Sequence, residues 1–404
     1  MQITTDLLIP GRGTPITDGA VVLNGTKILY AGPRDAAPPT DEPVAHVPAL
    51  MPGMWDCHGH FTGLARNDME SDATEHAVVK AARAIPDMAA TLAAGVTSVR
   101  EPGGLGIYLR KPIGEGRIAG PTIYSAGSIL STTGGHADVH GFPLEWLTSA
   151  HAARIGITCD GVPEVLKAVR LQLRKGADFI KVCASGGVMS EIDHPMHQQF
   201  SGEELRAIVD EAGRAERAVA AHCHGKAGIM AAIEAGVRTI EHGSYLDDEA
   251  AEAMVETGAV LVPTRFIIGE LLGMEDVIPP YAYRKAVMVA DHHAHALKTA
   301  VAAGVTVAMG TDIFMSGPLH GLNSREVRHL IDAGLPPLEA IEAATANGPL
   351  TLGAQAPASG QLKEGYDADV IAFDADPLGD PSVWGDPTRV THVWKSGELV
   401  KEPA

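Results

Sequence analysis

The amino-acid sequence predicts a (β/α)8 barrel joined to a small β-sandwich domain that both chain termini build. Two observations support this fold. From residue 53 to about 350, Ala-rich helical stretches stop at glycine, and each is followed at once by a β-branched strand. The two ends of the chain instead carry short β-rich runs separated by turns. We therefore predict residues 1–52 and 353–404 as the composite β domain and residues 53–352 as the barrel.

The terminal segments share the composition and turn chemistry of antiparallel strands. Asn24-Gly25 lies between two β-rich runs, residues 20–23 and 28–30. This dipeptide in such a position is typical of a tight hairpin. Residues 368–373 and 390–394 have the same β-rich composition near the other end of the chain. We expect these runs to pair within one small domain.

The middle of the chain is predicted to be a TIM barrel from the count of its strands. Glycine belongs at helix ends because it adopts the left-handed conformation without a Cβ penalty. A β-rich run follows each of Gly95, Gly176, Gly236, Gly258 and Gly304. With further runs at residues 54–56, 122–125 and 218–221 the count reaches eight, which favours a closed parallel barrel over an open sheet. Residues 127–160 show no clear periodicity, and loops of that length usually carry function or an insertion.

Composition and charge narrow the possible partners. The chain has 404 residues, 45% of them hydrophobic, and a formal net charge of −19, which argues against nucleic acid or an anionic membrane as partner. Its four scattered cysteines do not form a disulfide framework, so a reducing compartment fits best. We see neither a signal peptide nor an apolar run of about 18 residues that could span a bilayer. We expect a soluble cytoplasmic protein that binds a small-molecule substrate and assembles as a homo-oligomer.

The first candidate ligands are His58 and His60, at the end of the stretch that begins at Pro52. Two imidazoles separated by one residue on a strand point to the same side, so they can grip one metal ion together. The stretch is apolar up to Trp55 and then turns polar, as expected where a buried strand emerges at its carboxyl end. Taken alone, the pair is equally consistent with structural histidines.

Other unusual polar residues occur at or near the carboxyl ends of different predicted strands. They are Lys181 on the fourth, His222 on the fifth, His242 on the sixth and Asp312 after the eighth. A barrel brings all of them to one mouth with His58 and His60. A buried lysine beside cations would be costly as an ammonium. Modified by carbon dioxide, it becomes a carbamate, an anionic oxygen ligand able to bridge two metals.

These residues and their neighbours resemble the amidohydrolase superfamily, in its binuclear branch with a carboxylated lysine. The resemblance extends over nearly the whole chain and is strongest to imidazolonepropionase-like members, which include Xaa-Pro dipeptidases and ochratoxinase. The motifs that carry it, besides residues 52–60 and Lys181, are Thr133-Gly134-Gly135-His136, Ala221-His222-Cys223-His224-Gly225, Ile240-Glu241-His242-Gly243 and Gly310-Thr311-Asp312. Ile313-Phe314 follow the last motif, where the resemblance leads us to expect small residues. The reaction can therefore be inferred from the family more securely than the identity of the substrate.

The resemblance implies a metal site and a reaction. His58, His60 and Asp312 would hold one ion, His222 and His242 the other, and carboxylated Lys181 would bridge both. Zinc suits these ligands best, with iron, manganese or cobalt as alternatives. The two ions would share a hydroxide, and Asp312 would act as general base and acid in cleaving the amide bond of a dipeptide or N-acyl amino acid.

Two alternatives to this reaction remain. A ring-opening hydrolase or deaminase can occupy the same barrel, although it usually has one metal and no bridging lysine, so Lys181 argues against it. A barrel that binds metal without catalysis is disfavoured by Asp312, which stands where a catalytic base must sit.

Three further residues are candidate substrate contacts. His136 lies in a Gly-rich loop that lets backbone approach a ligand closely, Tyr245 follows His242 at the barrel mouth, and His224 shares the strand face of His222. Their alternatives are an ordinary loop histidine, a packing tyrosine and a residue that supports a ligand. His292, His293 and His295 occupy several faces of one predicted helix, so we expect them on the surface.

Overall fold

The computed structural model describes residues 1–40, 44–66, 70–149 and 154–403. Its strands are β1 (Gln2–Leu8), β2 (Ile16–Asn24), β3 (Lys27–Pro33), β4 (Val44–Pro52), β5 (Met54–Asp56), β6 (Gly59–Leu64), β7 (Val96–Glu101), β8 (Thr122–Ser125), β9 (Ile129–Ser131), β10 (Gly156–Thr158), β11 (Ile180–Cys183), β12 (Val219–Cys223), β13 (Thr239–His242), β14 (Val260–Val262), β15 (Ile313–Met315), β16 (Val370–Phe373), β17 (Val390–Lys395) and β18 (Glu398–Lys401). 

The α-helices are α1 (Glu70–Thr74), α2 (Ala77–Ala93), α3 (Gly106–Gly114), α4 (Leu144–Ser149), α5 (Gly161–Lys175), α6 (Gly202–Gly213), α7 (Lys226–Ala235), α8 (Asp248–Thr257), α9 (Arg265–Leu272), α10 (Pro280–Ala303), α11 (Arg325–Asp332) and α12 (Pro337–Ala343). Within the described ranges, none of these helices combines the length and the apolar character needed to span a bilayer. All four cysteines of the chain are buried and free.

Both termini contribute to one seven-stranded sheet, in the order β18-β17-β16-β4-β1-β2-β3. The two ends of the chain meet where β4 pairs antiparallel with β16. The predicted hairpin at Asn24-Gly25 is present, because Asn24 at the end of β2 pairs with Lys27 at the start of β3. Alternating apolar residues of these strands form a separate core that includes Ile3, Val21 and Trp394. The predicted terminal β domain is confirmed, while its boundaries at residues 52 and 353 stay a prediction.

The barrel is a ring of parallel strands. β5, β7 and β8 pair in one run, and β11, β12, β13 and β14 pair in another. The runs approach each other where the Asp178 N–H donates to the Ser125 carbonyl. On the other side, residues 305–309 lie between β14 and β5, since Leu261 forms a parallel bridge with Val307 and the Cys57 N–H donates to the Met309 carbonyl at 2.8 Å. The predicted (β/α)8 barrel is therefore confirmed.

The eighth strand position is less regular than the sequence predicted. Among the described residues it contains one isolated bridge rather than a continuous ladder, and the Met309 N–H donates to the Ala343 carbonyl at the end of α12. The five glycines predicted to end helices all have positive φ, between 70° and 89°. Each therefore turns the chain from a helix toward the next barrel position in the conformation that glycine adopts without strain.

Two additions to the barrel shape its mouth. Strand β6 follows β5 and pairs with β15, which follows the eighth strand position, so the chain continues beyond the ring at this point. Residues 127–160 contribute β9, which pairs with both β10 and β11, and the short helix α4. Residues 150–153 of that predicted long segment lie outside the described residues.

Candidate metal centre

The carboxyl ends of the barrel strands bring together two groups of metal-ligand side chains. The groups are His58, His60 and Asp312, and His222, His224 and His242, and within each group the ligand atoms lie within 4.8 Å of one another. The ring centroids of His58 and His242 are 5.0 Å apart, so the two groups adjoin. Six side chains that are distant in sequence therefore share one small volume at the barrel mouth.

Each of the five imidazoles has one ring nitrogen in a hydrogen bond to the protein. The pairs are His58 Nδ1 with Glu241 at 2.7 Å, His60 Nδ1 with the Gly103 carbonyl at 2.6 Å, His222 Nε2 with the Gly186 carbonyl at 3.1 Å, His224 Nδ1 with Ser244 Oγ at 2.7 Å, and His242 Nδ1 with Thr264 Oγ1 at 2.7 Å. Such bonds orient a ring and leave its second nitrogen available to bind a metal.

Burial keeps four of these rings, those of His58, His222, His224 and His242, in the neutral form that metals require. It lowers the pKa of His58 to about 4 and that of His224 to about 3, because the charged imidazolium would lose its hydration. Burial and the neighbouring cationic groups likewise hold the pKa of His222 and His242 well below the usual value. At neutral pH these rings offer lone pairs rather than protons.

Lys181 on β11 is the least satisfied polar side chain of the site. The residue is 2% exposed, and its Nζ has no hydrogen-bond partner among the described residues. Burial lowers the pKa of this lysine, since an unpaired ammonium in an apolar setting is costly. A neutral amine is the form that adds to carbon dioxide, so this environment fits a carboxylated lysine and two metal ions.

Asp312 lines the cavity and lies close to both histidines of its group. Its Oδ1 lies 3.1 Å from His60 Nε2 and 3.5 Å from His58 Nε2. Although burial alone would raise it, the adjoining His58 and His60 rings lower the pKa of Asp312. The carboxyl group is therefore ionised at neutral pH, as both a ligand and a general base need to be.

Backbone strain is concentrated at this centre. Among the described residues, six non-glycine positions have positive φ, and three of them are His242 at 69°, Thr264 at 53° and Asp312 at 58°. A left-handed conformation is unfavourable for residues with a Cβ, above all for a β-branched threonine. Such strain persists where the surrounding structure enforces it and is typical of functional sites.

A buried ion pair beneath the ligands was not foreseen from the sequence. Arg100 Nη2 donates to Glu241 Oε1 at 2.5 Å, both side chains are fully buried, and the other Glu241 oxygen accepts from His58. Burial by itself favours the neutral acid, but Arg100 and Lys181 hold the pKa of Glu241 well below its usual range. The available signal was a carboxylate, Glu241, directly before the candidate ligand His242 at the end of a strand.

Replacing Arg100 by Met is expected to lower the free energy of unfolding by about 3–5 kcal/mol, because Glu241 would keep a buried and uncompensated charge. Denaturant unfolding followed by circular dichroism measures this. Arg110→Met is the matched control, since the Arg110–Asp178 pair is partly exposed and worth about 1 kcal/mol or less. Equal stability of Arg100→Met and the parent protein would contradict the expectation.

The three candidate substrate contacts lie in different surroundings. His136 lines the cavity with its ring stacked on His222 at 4.3 Å, and its Nδ1 lies 2.8 Å from Ser190 Oγ. His224 also lines the cavity, whereas the Tyr245 hydroxyl donates to the Met288 carbonyl at 3.4 Å and its ring packs on His292. Contact of these residues with a substrate stays a prediction.

The expectation that all three histidines of α10 lie on the surface was wrong for His293. This residue is fully buried, and its Nε2 donates to the Pro263 carbonyl at 2.6 Å. The sequence held a signal, because Ala286, Val289, His293 and Ala300 follow the period of one buried helical face. Burial lowers the pKa of His293 to about 4, so it supports the end of β14 as a neutral ring.

A parallel barrel whose mouth gathers histidines, an aspartate and a buried lysine defines the class of hydrolytic barrel enzymes. The Amidohydrolase family model matches residues 49–400, and the chain belongs to that family. This confirms the resemblance seen in the sequence. The protein is an enzyme that hydrolyses amide bonds.

Individual relatives agree with this assignment. Ochratoxinase from Aspergillus niger is 44% identical in sequence over 99% of this chain and 86% of the relative. Its crystal structure matches with a TM-score of 0.92 and covers 100% of this chain and 96% of the ochratoxinase chain. A prolidase crystallised with N-methylphosphonate-L-proline is 34% identical, with a TM-score of 0.90 over 100% of both chains. A Xaa-Pro dipeptidase with bound methionine is 30% identical, with a TM-score of 0.88 over 99% of both chains.

Proposed function

We propose that this enzyme is a binuclear metal-dependent hydrolase that cleaves the amide bond of a dipeptide or an N-acyl amino acid. The observation that carries the proposal is the buried Nζ of Lys181, which has no hydrogen-bond partner in the described part of the chain. If Lys181 were an ammonium, its charge would disfavour protonation of His58 in one ligand group and of His222 in the other. As a carbamate it would offer oxygen atoms to both groups at once.

The ligand assignment is the one that the family resemblance implies, and each imidazole in it has a ring nitrogen available. His58, His60 and Asp312 would hold one ion, His222 and His242 would hold the other, and carboxylated Lys181 would reach both. Two divalent ions, with zinc the best match to this donor set, supply positive charge that polarises the scissile carbonyl and acidifies a water molecule.

Asp312 performs the proton transfers in this proposal. Its carboxylate lines the cavity and is ionised at neutral pH, so it accepts the proton of the attacking water. The same carboxyl group then delivers that proton to the leaving nitrogen, which departs as a neutral amine. His224 lines the same cavity and is our candidate for a further substrate contact.

The leaving amine is proposed to belong to an amino acid with a free carboxylate. The names of the prolidase and the Xaa-Pro dipeptidase place an amino acid after the cleaved bond in those relatives. In this chain His136 lines the cavity, with Asp193 3.9 Å from its Nδ1, so Nε2 is the ring nitrogen available to a substrate carboxylate. Tyr245 is the second candidate for this contact.

Amidating the carboxylate of a good dipeptide or N-acyl amino acid substrate is expected to lower kcat/KM roughly 10- to 100-fold. A charge-assisted hydrogen bond in a water-poor site would be lost. Paired assays of free and amidated substrates measure the effect. His136→Gln should remove most of the difference between the two substrates, while Tyr245→Phe tests whether the phenol contributes.

Two results would contradict the substrate assignment. One is similar kcat/KM for free and amidated substrates. The other is activity confined to cyclic amides or heterocycles without a carboxylate, which would support a ring-opening hydrolase on the same barrel.

A further inference from the structure

One side of the cavity beside the ligand groups is an apolar wall. The cavity has a volume of about 80 Å³, and the wall consists of Val188, Met189, Ile267, Ile268, Leu271 and Phe314. These side chains also pack against one another as part of a single buried cluster. Within the described part of the chain, Asp312 and the imidazoles supply the ionisable groups of the lining. A charged substituent on this side would find no partner.

One part of the apolar wall adjoins His136, because Val188 and Met189 lie between Gly187 and Ser190, which both contact the His136 ring. The other part lies on α9. His136 follows the third barrel strand, β8, whereas Ile267, Ile268 and Leu271 lie on α9 after the seventh, β14. In a ring of eight strands these positions are opposite. Phe314, which follows the eighth position, packs in the same cluster. A substrate whose carboxylate lies at His136 would therefore have its acyl group beside the apolar wall, along Val188 and Met189 toward α9.

The position of the apolar wall is set by hydrogen bonds to buried residues, one of which is the proposed ligand His242. The N–H groups of Arg265 and Phe266, at the start of α9, donate to the buried carboxyl group of Glu326 at 2.9 and 2.6 Å. Thr264, just before them, binds the ring of His242. The Phe314 carbonyl accepts a hydrogen bond from the Thr62 hydroxyl. The wall is thus held rigidly relative to the reacting groups, as size discrimination requires.

We infer that the acyl side of the substrate carries an apolar group and that Phe314 is the specificity-determining residue that limits its bulk. This inference rests on the proposed function and names its acyl substrate class. Phe314 stands where the family resemblance led us to expect a small residue, and it lines a cavity whose volume is below that of ordinary ligand pockets. Its ring occupies space that a bulkier acyl group would need.

A series of N-acyl derivatives of one amino acid tests this inference. We expect the hexanoyl compound to exceed the succinyl compound roughly 100-fold in kcat/KM, because the succinyl carboxylate would be buried without a partner. Phe314→Ala should raise kcat/KM for a naphthylacetyl compound relative to the acetyl compound about tenfold or more, with metal content unchanged. Phe314→Leu serves as the milder variant if the alanine protein does not fold.

Ile278→Ala is the matched control, since Ile278 belongs to the same buried cluster but does not line the cavity. If the Phe314 variants and Ile278→Ala show the same acyl preferences, the proposed role of Phe314 is overturned. If succinyl substrates are preferred over hexanoyl substrates, the proposed apolar substrate class is overturned. Calorimetry with hexanoate and succinate measures how the metal-loaded enzyme binds an apolar and a charged chain in the absence of turnover. Tighter binding of hexanoate supports the inference even if no N-acyl amino acid is cleaved. Failure to cleave any N-acyl amino acid would refute only the proposed function.

Discussion

Replacing Lys181 by Ala is expected to abolish measurable turnover and to lower the divalent metal content from about two ions per chain to one or fewer. The alanine side chain cannot form a carbamate, so the oxygen ligand shared by the two proposed ions disappears. The remaining ligand groups, His58 with His60 and His222 with His242, would each lack a negatively charged bridge. Elemental analysis of the purified variant measures the metal, and mass spectrometry of the native protein detects the added carbon dioxide.

A matched control and a rescue experiment separate this role from general damage. Lys167→Ala removes an exposed lysine from α5 and should leave metal content and activity unchanged. Short carboxylic acids should partly restore turnover to Lys181→Ala by filling the gap with a substitute carboxylate. A Lys181→Ala protein that keeps two tightly bound ions and full activity would refute the carboxylated-lysine bridge.

Replacing Asp312 by Asn is expected to lower kcat by roughly 10²- to 10⁴-fold, the usual contribution of a general acid and base. The amide keeps an oxygen that can bind a metal, but it cannot accept or return a proton. Steady-state kinetics at saturating substrate, together with circular dichroism and metal analysis, separate lost chemistry from lost fold or lost metal.

The control for this variant is Asp332→Asn, which removes an exposed carboxylate on α11 and should have no effect on kcat. A fully metallated Asp312→Asn enzyme with less than about a tenfold loss would show that another group moves the proton. His224, which lines the same cavity, would then be the next candidate to replace.

The barrel and the position of its mouth follow from local features of the sequence. Helix-ending glycines, β-branched runs and the hairpin at Asn24-Gly25 depend on backbone preferences that act over a few residues. Polar residues at strand ends, such as His222 and His242, then follow from the rule that one end of a barrel gathers them. The motifs around these residues extended the prediction to the family, which the comparison with known proteins confirmed.

The environment of each polar side chain depends instead on contacts between distant parts of the chain. Arg100 and Glu241 are separated by 141 residues and pair only once the ring of strands closes. The same closure turns Tyr245 toward α10, buries His293 and leaves Lys181 Nζ without a partner. It also sets Phe314 against α9 to form the apolar wall. The sequence determined the fold and the side chains available at the barrel mouth, because hydrophobic periodicity, turn residues and motifs each depend on residues close together in the chain. Tertiary structure alone decided their partners, burial and cavity, because desolvation and hydrogen bonding depend on neighbours that sequence spacing does not reveal.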